Sequence, residues 1–133
     1  DATELHMPTD PYYIGDNIDN SNTINTYTTS VYIPIEHEWL LSNTGSVPWI
    51  DRKMVFVNSN GVRVRANSNI LSVPITLPGE QVSIKVQLDP RHFDCISECI
   101  WEMVDNQGNN CFPGSSHLFK VIVDSQFGPE FES

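Results

Sequence analysis

The chain is 133 residues long, one domain's worth, and its 39% hydrophobic share is enough for a buried core and excludes wholesale disorder. A formal net charge of −10 opposes sequence-independent binding to nucleic-acid phosphate and docking on anionic lipid, so no nucleic acid is expected as a partner. No apolar run approaches the roughly 20 residues that span a bilayer, and membrane insertion is not expected.

Residues 1–11 are polar, acidic and interrupted by Pro8 and Pro11, and read as a disordered linker. Residues 12–124 read as the folded domain and 125–133 as a flexible tail. Tyr12, Ile14 and Ile18 suggest a short first strand, and Ile24 with Tyr27 a second. From Ile33 the pattern sharpens. Ile33, Ile35, His37, Trp39 and Leu41 fall on one side of a period-2 pattern, and Pro34, Glu36, Glu38 and Ser42 on the other. This half-buried strand runs into the turn Asn43-Thr44-Gly45, and Pro48-Trp49 restarts the chain.

Met54-Val55-Phe56-Val57 is apolar enough to predict a strand covered on both faces. Asn58-Ser59-Asn60-Gly61 predicts a hairpin, with Asn-Gly supplying the positive-φ positions of a type I′ turn. Val62 and Val64 then alternate with Arg63 and Arg65, and 70–75 reads as a short extended piece. Leu77-Pro78-Gly79-Glu80 is a turn with proline at its second position. In the cleanest strand Val82, Ile84, Val86 and Leu88 point one way, until Asp89-Pro90-Arg91-His92 breaks it. Cys99, Trp101 and Met103 share a face of the next strand, which ends in the polar turn 105–110. Phe119, Val121 and Val123 mark the last strand, ended by Asp124. About seven to eight short strands with frequent turns and no helical period predict an all-β, immunoglobulin-like antiparallel β-sandwich.

Catalytic and metal-binding patterns are weak. His37-Glu38 opens like a zincin motif, but Leu41 stands where the second histidine belongs and the segment reads as strand. Cys95 and Cys99, four apart on a strand, would lie about 13 Å from each other, too far to share one zinc. Glu98 and Glu102 are similarly separated, and Gly114-Ser115-Ser116-His117 lacks the strand-turn-helix setting of a nucleophile elbow. No enzyme activity, cofactor or metal is expected. Three cysteines cannot form a closed disulfide set, and no Asn-x-Ser/Thr sequon occurs, which leans to a reducing, cytoplasmic setting.

What remains is loop surface. In a sandwich of this order the loops 43–49 and 105–113 lie at one end. They offer Asn43, Thr44, Ser46, Gln107, Asn109 and Asn110 as hydrogen-bonding groups, with Trp49 and Phe112 as candidate anchors and His117 just beyond. Trp49 is equally readable as core. The opposite end carries Arg91 and His92.

Trp39-Leu40-Leu41-Ser42-Asn43-Thr44-Gly45, then Trp49, then Leu77-Pro78-Gly79-Glu80 before an alternating strand, then Trp101 and a turn at Gly108, resembles the four-tryptophan immunoglobulin-like domain. That family takes its name from the neighbour-of-BRCA-one autophagy receptors. Leu118 stands where the fourth tryptophan belongs, and Cys95 where a glycine usually precedes the third. Within the family, the asparagine-rich character is similar to that of the cargo-binding domains of yeast receptors for vacuolar alpha-mannosidase. The resemblance implies a cytoplasmic module that binds a protein cargo and reaches the vacuole with it, other regions of the receptor engaging the autophagy machinery. Two other classes remain open from the residues alone. One is a ligand-sensing module of a bacterial regulator, the other a carbohydrate-binding accessory domain built on Tyr12, Tyr13, Tyr27, Tyr32 and Trp49.

Overall fold

The computed structural model describes residues 11–21, 24–114 and 118–127. The strands in chain order are β1 (Ile18–Asn20), β2 (Thr26–Ser30), β3 (Ile35–Asn43), β4 (Arg52–Phe56), β5 (Arg65–Ala66), β6 (Ile70–Val73), β7 (Gln81–Asp89), β8 (Cys95–Cys99), β9 (Trp101–Val104) and β10 (Val121–Gln126). One sheet has the order β1-β3-β7-β5. The other layer consists of β2-β10-β8 and β6-β4-β9, joined end to end because only Ile100 separates β8 from β9. The chain is an immunoglobulin-like β-sandwich. Its pairs are antiparallel except β2 with β10, which runs parallel.

Alternation builds the core. In β3 the residues His37, Trp39, Leu41 and Asn43 are buried, and Val86, Ile84 and Val82 of β7 stand opposite the first three. From the facing layer Trp101 meets Trp39 edge-on at 5.2 Å and stacks on Phe56, its register partner, at 4.8 Å. Three aromatic rings therefore tie the two layers together at mid-height.

Four local expectations are corrected. Tyr12–Ile14 form a turn rather than a strand, with the Asp16 amide donating to the Tyr13 carbonyl at 3.1 Å. Met54 and Phe56 are buried but Val55 is half-buried and Val57 exposed, because only one face of β4 meets the opposite layer. Asn58–Gly61 turns through a Gly61 amide to Asn58 carbonyl bond, yet neither Asn60 nor Gly61 has positive φ. It is not a hairpin: the chain leaves β4 and crosses to the other sheet, where β5 pairs with β7. The Asn58 side chain is committed elsewhere, donating to the Glu98 carbonyl and accepting from the Ile100 amide, so that it clamps the β8–β9 junction. Finally, β10 continues past Asp124 to Gln126, because the Ser125 hydroxyl donates to the Phe93 carbonyl at 2.6 Å and the Val31 amide to Gln126. Residues 1–10 of the expected linker and 128–133 of the expected tail lie outside the described residues.

The Leu77–Glu80 turn takes the expected form. The Glu80 amide donates to the Leu77 carbonyl at 2.9 Å, and Gly79 sits at φ 88°, the third-position geometry of a type II turn.

Candidate functional site

The loops 43–49 and 105–112 do meet at one end of the sandwich, and Asn43 organises the first of them. Its amide nitrogen donates to the carbonyls of Val47 at 2.8 Å and Thr76 at 3.0 Å, and its side-chain oxygen accepts from Gly45 N. Gly45 packs directly on the chain's beginning, where an added methyl would overlap the Gly15 carbonyl and the Asn17 amide. The Ser46 amide donates to that same Gly15 carbonyl at 2.9 Å.

Beneath this contact lies a buried polar network. Asp16 accepts from Trp49 Nε1 at 3.0 Å and from Arg52 Nη1 at 2.8 Å, and both charged side chains are almost wholly removed from solvent. The Arg52 guanidinium lies 5.2 Å from the centre of the Tyr13 ring. Tyr13 in turn donates its hydroxyl to Asp105 Oδ2 at 2.5 Å. Asp105 also accepts from the backbone amides of Gln107 and Asn109 and from the Asn109 side chain. The carboxylate is therefore held at about 2, chiefly by the Tyr13 hydroxyl, and the same bond pushes the phenol up to about 12. Trp49 reaches the second loop directly, with its ring centre 6.5 Å from that of Phe112.

These contacts sort the predicted site residues. Trp49 is fully buried and belongs to the core, as do Phe112 and the side chain of Asn43, so none of the three is a surface contact. Trp49 is drawn in by the Asp16 carboxylate, Asn43 by the Thr76 carbonyl, and Phe112 packs edge-on against Trp49. Asn109 and Asn110 are half-buried and serve their own loop, Asn110 by accepting from the Phe112 amide. Thr44, Ser46 and Gln107 are exposed on the rim. His117 lies outside the described residues.

The surface that the sequence reading missed is apolar. Trp49 and Thr76 form an isolated antiparallel bridge, exchanging backbone bonds of 2.9 and 3.1 Å, with both side chains inward. Their neighbours must then point outward. Ile50, Ile75 and Leu77 are 50%, 66% and 49% exposed, with Pro48 and Pro74 beside them. A shallow cleft lined by Asp51, Lys53, Ser72, Pro74 and Ile75 leads from this patch to Asn106 of the second loop. The signal was available as apolar residues flanking Trp49 and Thr76, but a bridge of two single residues is too short to show a period.

Elsewhere the chemistry is muted. Among the described residues no three His, Cys, Asp or Glu are placed to hold a metal ion. Burial pushes the thiols of Cys99 and Cys111 up to about 12 and about 11, which keeps them protonated and poorly nucleophilic. Glu98 pairs with Lys120 at 3.5 Å on the solvated face. The tyrosines do not form a flat row: Tyr13 and Tyr27 are half-buried, Trp49 is internal, and the exposed Tyr12 and Tyr32 sit at opposite ends. That removes the platform a carbohydrate-binding surface of these residues would need.

No family model matches the chain, and no curated protein matches its sequence. Solved structures with a similar fold include an ASH / PapD-like domain of human CEP192 (13% identity, 90% of this chain and 89% of that one, TM-score 0.44). WR4, an MSP family member of C. elegans, is similar over 87% of this chain and all of its own at 9% identity and a TM-score of 0.41. A family 123 glycoside hydrolase from Clostridium perfringens is similar over 80% of this chain but 23% of its own, at 9% identity and a TM-score of 0.40.

Proposed function

We propose that the domain is a non-catalytic protein-recognition module of a selective autophagy receptor. In this reading it works in the cytoplasm and carries vacuolar alpha-mannosidase as cargo to the vacuole, while other regions of the receptor engage the autophagy machinery. The observation that supports recognition at the Asn43 end is the outward patch of Ile50, Ile75 and Leu77, bordered by the polar residues Asp51, Lys53, Ser72 and Asn106, with Thr44, Ser46 and Gln107 exposed on the loops of the same end. Exposed apolar side chains clustered within a polar rim suit a protein partner, because their burial drives association while the rim sets register. The Asp16–Trp49–Arg52 network beneath holds the patch in place, which lowers the ordering cost of binding. The identity of the cargo rests on the sequence resemblance to the four-tryptophan domains.

Pull-down of purified alpha-mannosidase by the immobilised domain tests the reading. Retention is expected, with loss for Ile75→Asp while the melting temperature stays within a few degrees of the parent. No retention by the intact domain refutes the cargo assignment. Retention that survives Ile75→Asp and Leu77→Asp moves the contact away from this end.

A further inference from the structure

Three of the four arginines, Arg63, Arg65 and Arg91, gather at the end of the sandwich opposite the apolar patch. We infer that they form a second interaction surface, which binds an acidic, extended segment of a protein partner through its carboxylates.

The cluster is built rather than incidental. Arg91 adopts φ 57° and Tyr32 φ 66°, and the Tyr32 amide donates to the Arg91 carbonyl at 2.7 Å. Two non-glycine residues in the left-handed region cost energy that the surrounding structure must offset, and such strain gathers at working sites. Asp89 Oδ1 accepts from the Arg91 amide at 2.8 Å, fixing the turn. The Arg91 guanidinium then donates through Nε and Nη2 to the single carbonyl of Arg63, at 3.1 and 2.9 Å. Arg63 and Arg91 both lie on the Phe93 ring, 4.6 and 4.9 Å from its centre. Arg63 and Arg91 are thus held in place before any ligand arrives, and Arg65, exposed on β5, stands beside them.

Charge defines the occupant. The chain has 17 acidic residues against seven basic, yet among the described residues no carboxylate lies within ion-pair distance of Arg63, Arg65 or Arg91. The nearby acids are engaged by backbone amides: Asp89 by Arg91, and Asp94 by Phe127 at 3.1 Å. Arg65 stands between two shallow depressions. One is lined by Ser59, Asn60, Asn69 and Arg91, the other by Asn67, Gln87 and Asp89. The amide side chains there can hydrogen-bond a peptide backbone while the guanidiniums take carboxylates in fork geometry. Exposed Tyr32 and Ile33 adjoin the cluster and suit an apolar residue between the acids. Three arginines beside two aspartates, on a domain of net charge −10, favour a few carboxylates over a polyphosphate or an anionic bilayer.

The test is a fluorescence-anisotropy titration of a labelled eight-residue peptide alternating Glu and Val, at low and at physiological salt. A Gln-for-Glu peptide and phosphatidylserine vesicles serve as the other arms. Binding of the Glu peptide, weakened by salt and reduced about tenfold by Arg65→Glu, is the expected result. Lys85→Glu, which places the same charge change on the exposed face of β7, should leave it unchanged. Amide shifts confined to 63–69 and 87–93 in a heteronuclear NMR titration would place the peptide on the cluster. The inference is overturned if the Glu peptide fails to bind at low salt, if Lys85→Glu weakens it as much as Arg65→Glu, or if only vesicles bind. Cargo retention by Arg65→Glu, measured alongside, separates this surface from the apolar one.

Discussion

Between pH 7 and pH 5 the pH dependence of folding should be governed by one side chain, His37. It lies in the inward row of β3 at 1% exposure, edge-on to Trp39 at 4.8 Å, and its Nδ1 shares a 2.8 Å hydrogen bond with the Tyr27 hydroxyl. Burial lowers its pKa from 6.5 to about 4, with the charge of Glu38 offsetting a small part. The folded state therefore keeps the ring neutral where the unfolded chain already takes up a proton. Below pH 6.5 the unfolded state binds more protons, so stability falls as pH falls and levels off once the folded state also protonates near pH 4. Integrating between those values gives a loss of about 2 kcal/mol from pH 7 to pH 5, approaching about 3 kcal/mol at pH 4. Asp105, lowered from 3.8 to about 2, contributes stability that is lost only as the pH falls below about 4. Urea unfolding followed by tryptophan fluorescence at pH 7, 6 and 5 measures the slope. His37→Leu should flatten it over this range. A flat profile in the parent, or an equal decline in the variant, would refute the assignment.

Arg52→Met should cost about 3–5 kcal/mol by stranding the Asp16 carboxylate in the core, and the paired Asp16→Leu, Arg52→Met variant should recover much of it in denaturant titrations. Trp49→Phe should destabilise more than Trp101→Phe. The first removes a bond to Asp16, whereas Trp101 Nε1 has no acceptor among the described residues; equal shifts in the urea midpoint would contradict this. Gly45→Ala should cost about 1–3 kcal/mol because its methyl meets backbone on two sides, and a stability within error of the parent would show that the loop yields. Ellman's reagent should leave Cys99 and Cys111 unmodified until the chain unfolds, and rapid reaction of either in the native state would disprove their burial.

The long strands were legible because each has one wet face and one dry face. β3 and β7 alternate over nine residues each, and no other backbone geometry puts His37, Trp39 and Leu41 on the same side. β1 and β2 have no such record, since their pairing comes from partners, β3 for one and β10 for the other. Asn60-Gly61 misled for a related reason. A type I′ turn needs two strands that pair across it, and the Val62–Ala66 stretch pairs with β7 instead of β4. The candidate site was legible only in outline. That the two loops share an end followed from sandwich order, but which side chains face solvent did not. Trp49 was undecidable because its acceptor, Asp16, lies 33 residues upstream in a stretch without pattern. Arg52 was missed because an arginine is read as surface unless a buried partner is known.

The two ends of the sandwich thus treat arginine in opposite ways, and that difference makes the proposals separable. At the Asn43 end the guanidinium of Arg52 is drawn inside and neutralised by Asp16, so the outer surface is left to Ile50, Ile75 and Leu77. At the other end Arg63 and Arg91 are arranged by a carbonyl and a phenyl ring instead of by an ion pair, and Arg65 stands exposed beside them. The nine residues of β3 and β7 hold the ends about 25–30 Å apart, several times the Debye length of about 8 Å at physiological salt. A charge reversal at Arg65 is therefore screened from the apolar patch, and an aspartate at position 75 from the arginines. Mutational effects at the two ends should add without coupling. A measured coupling between Ile75→Asp and Arg65→Glu in cargo retention would mean that one partner spans the length of the domain and touches both.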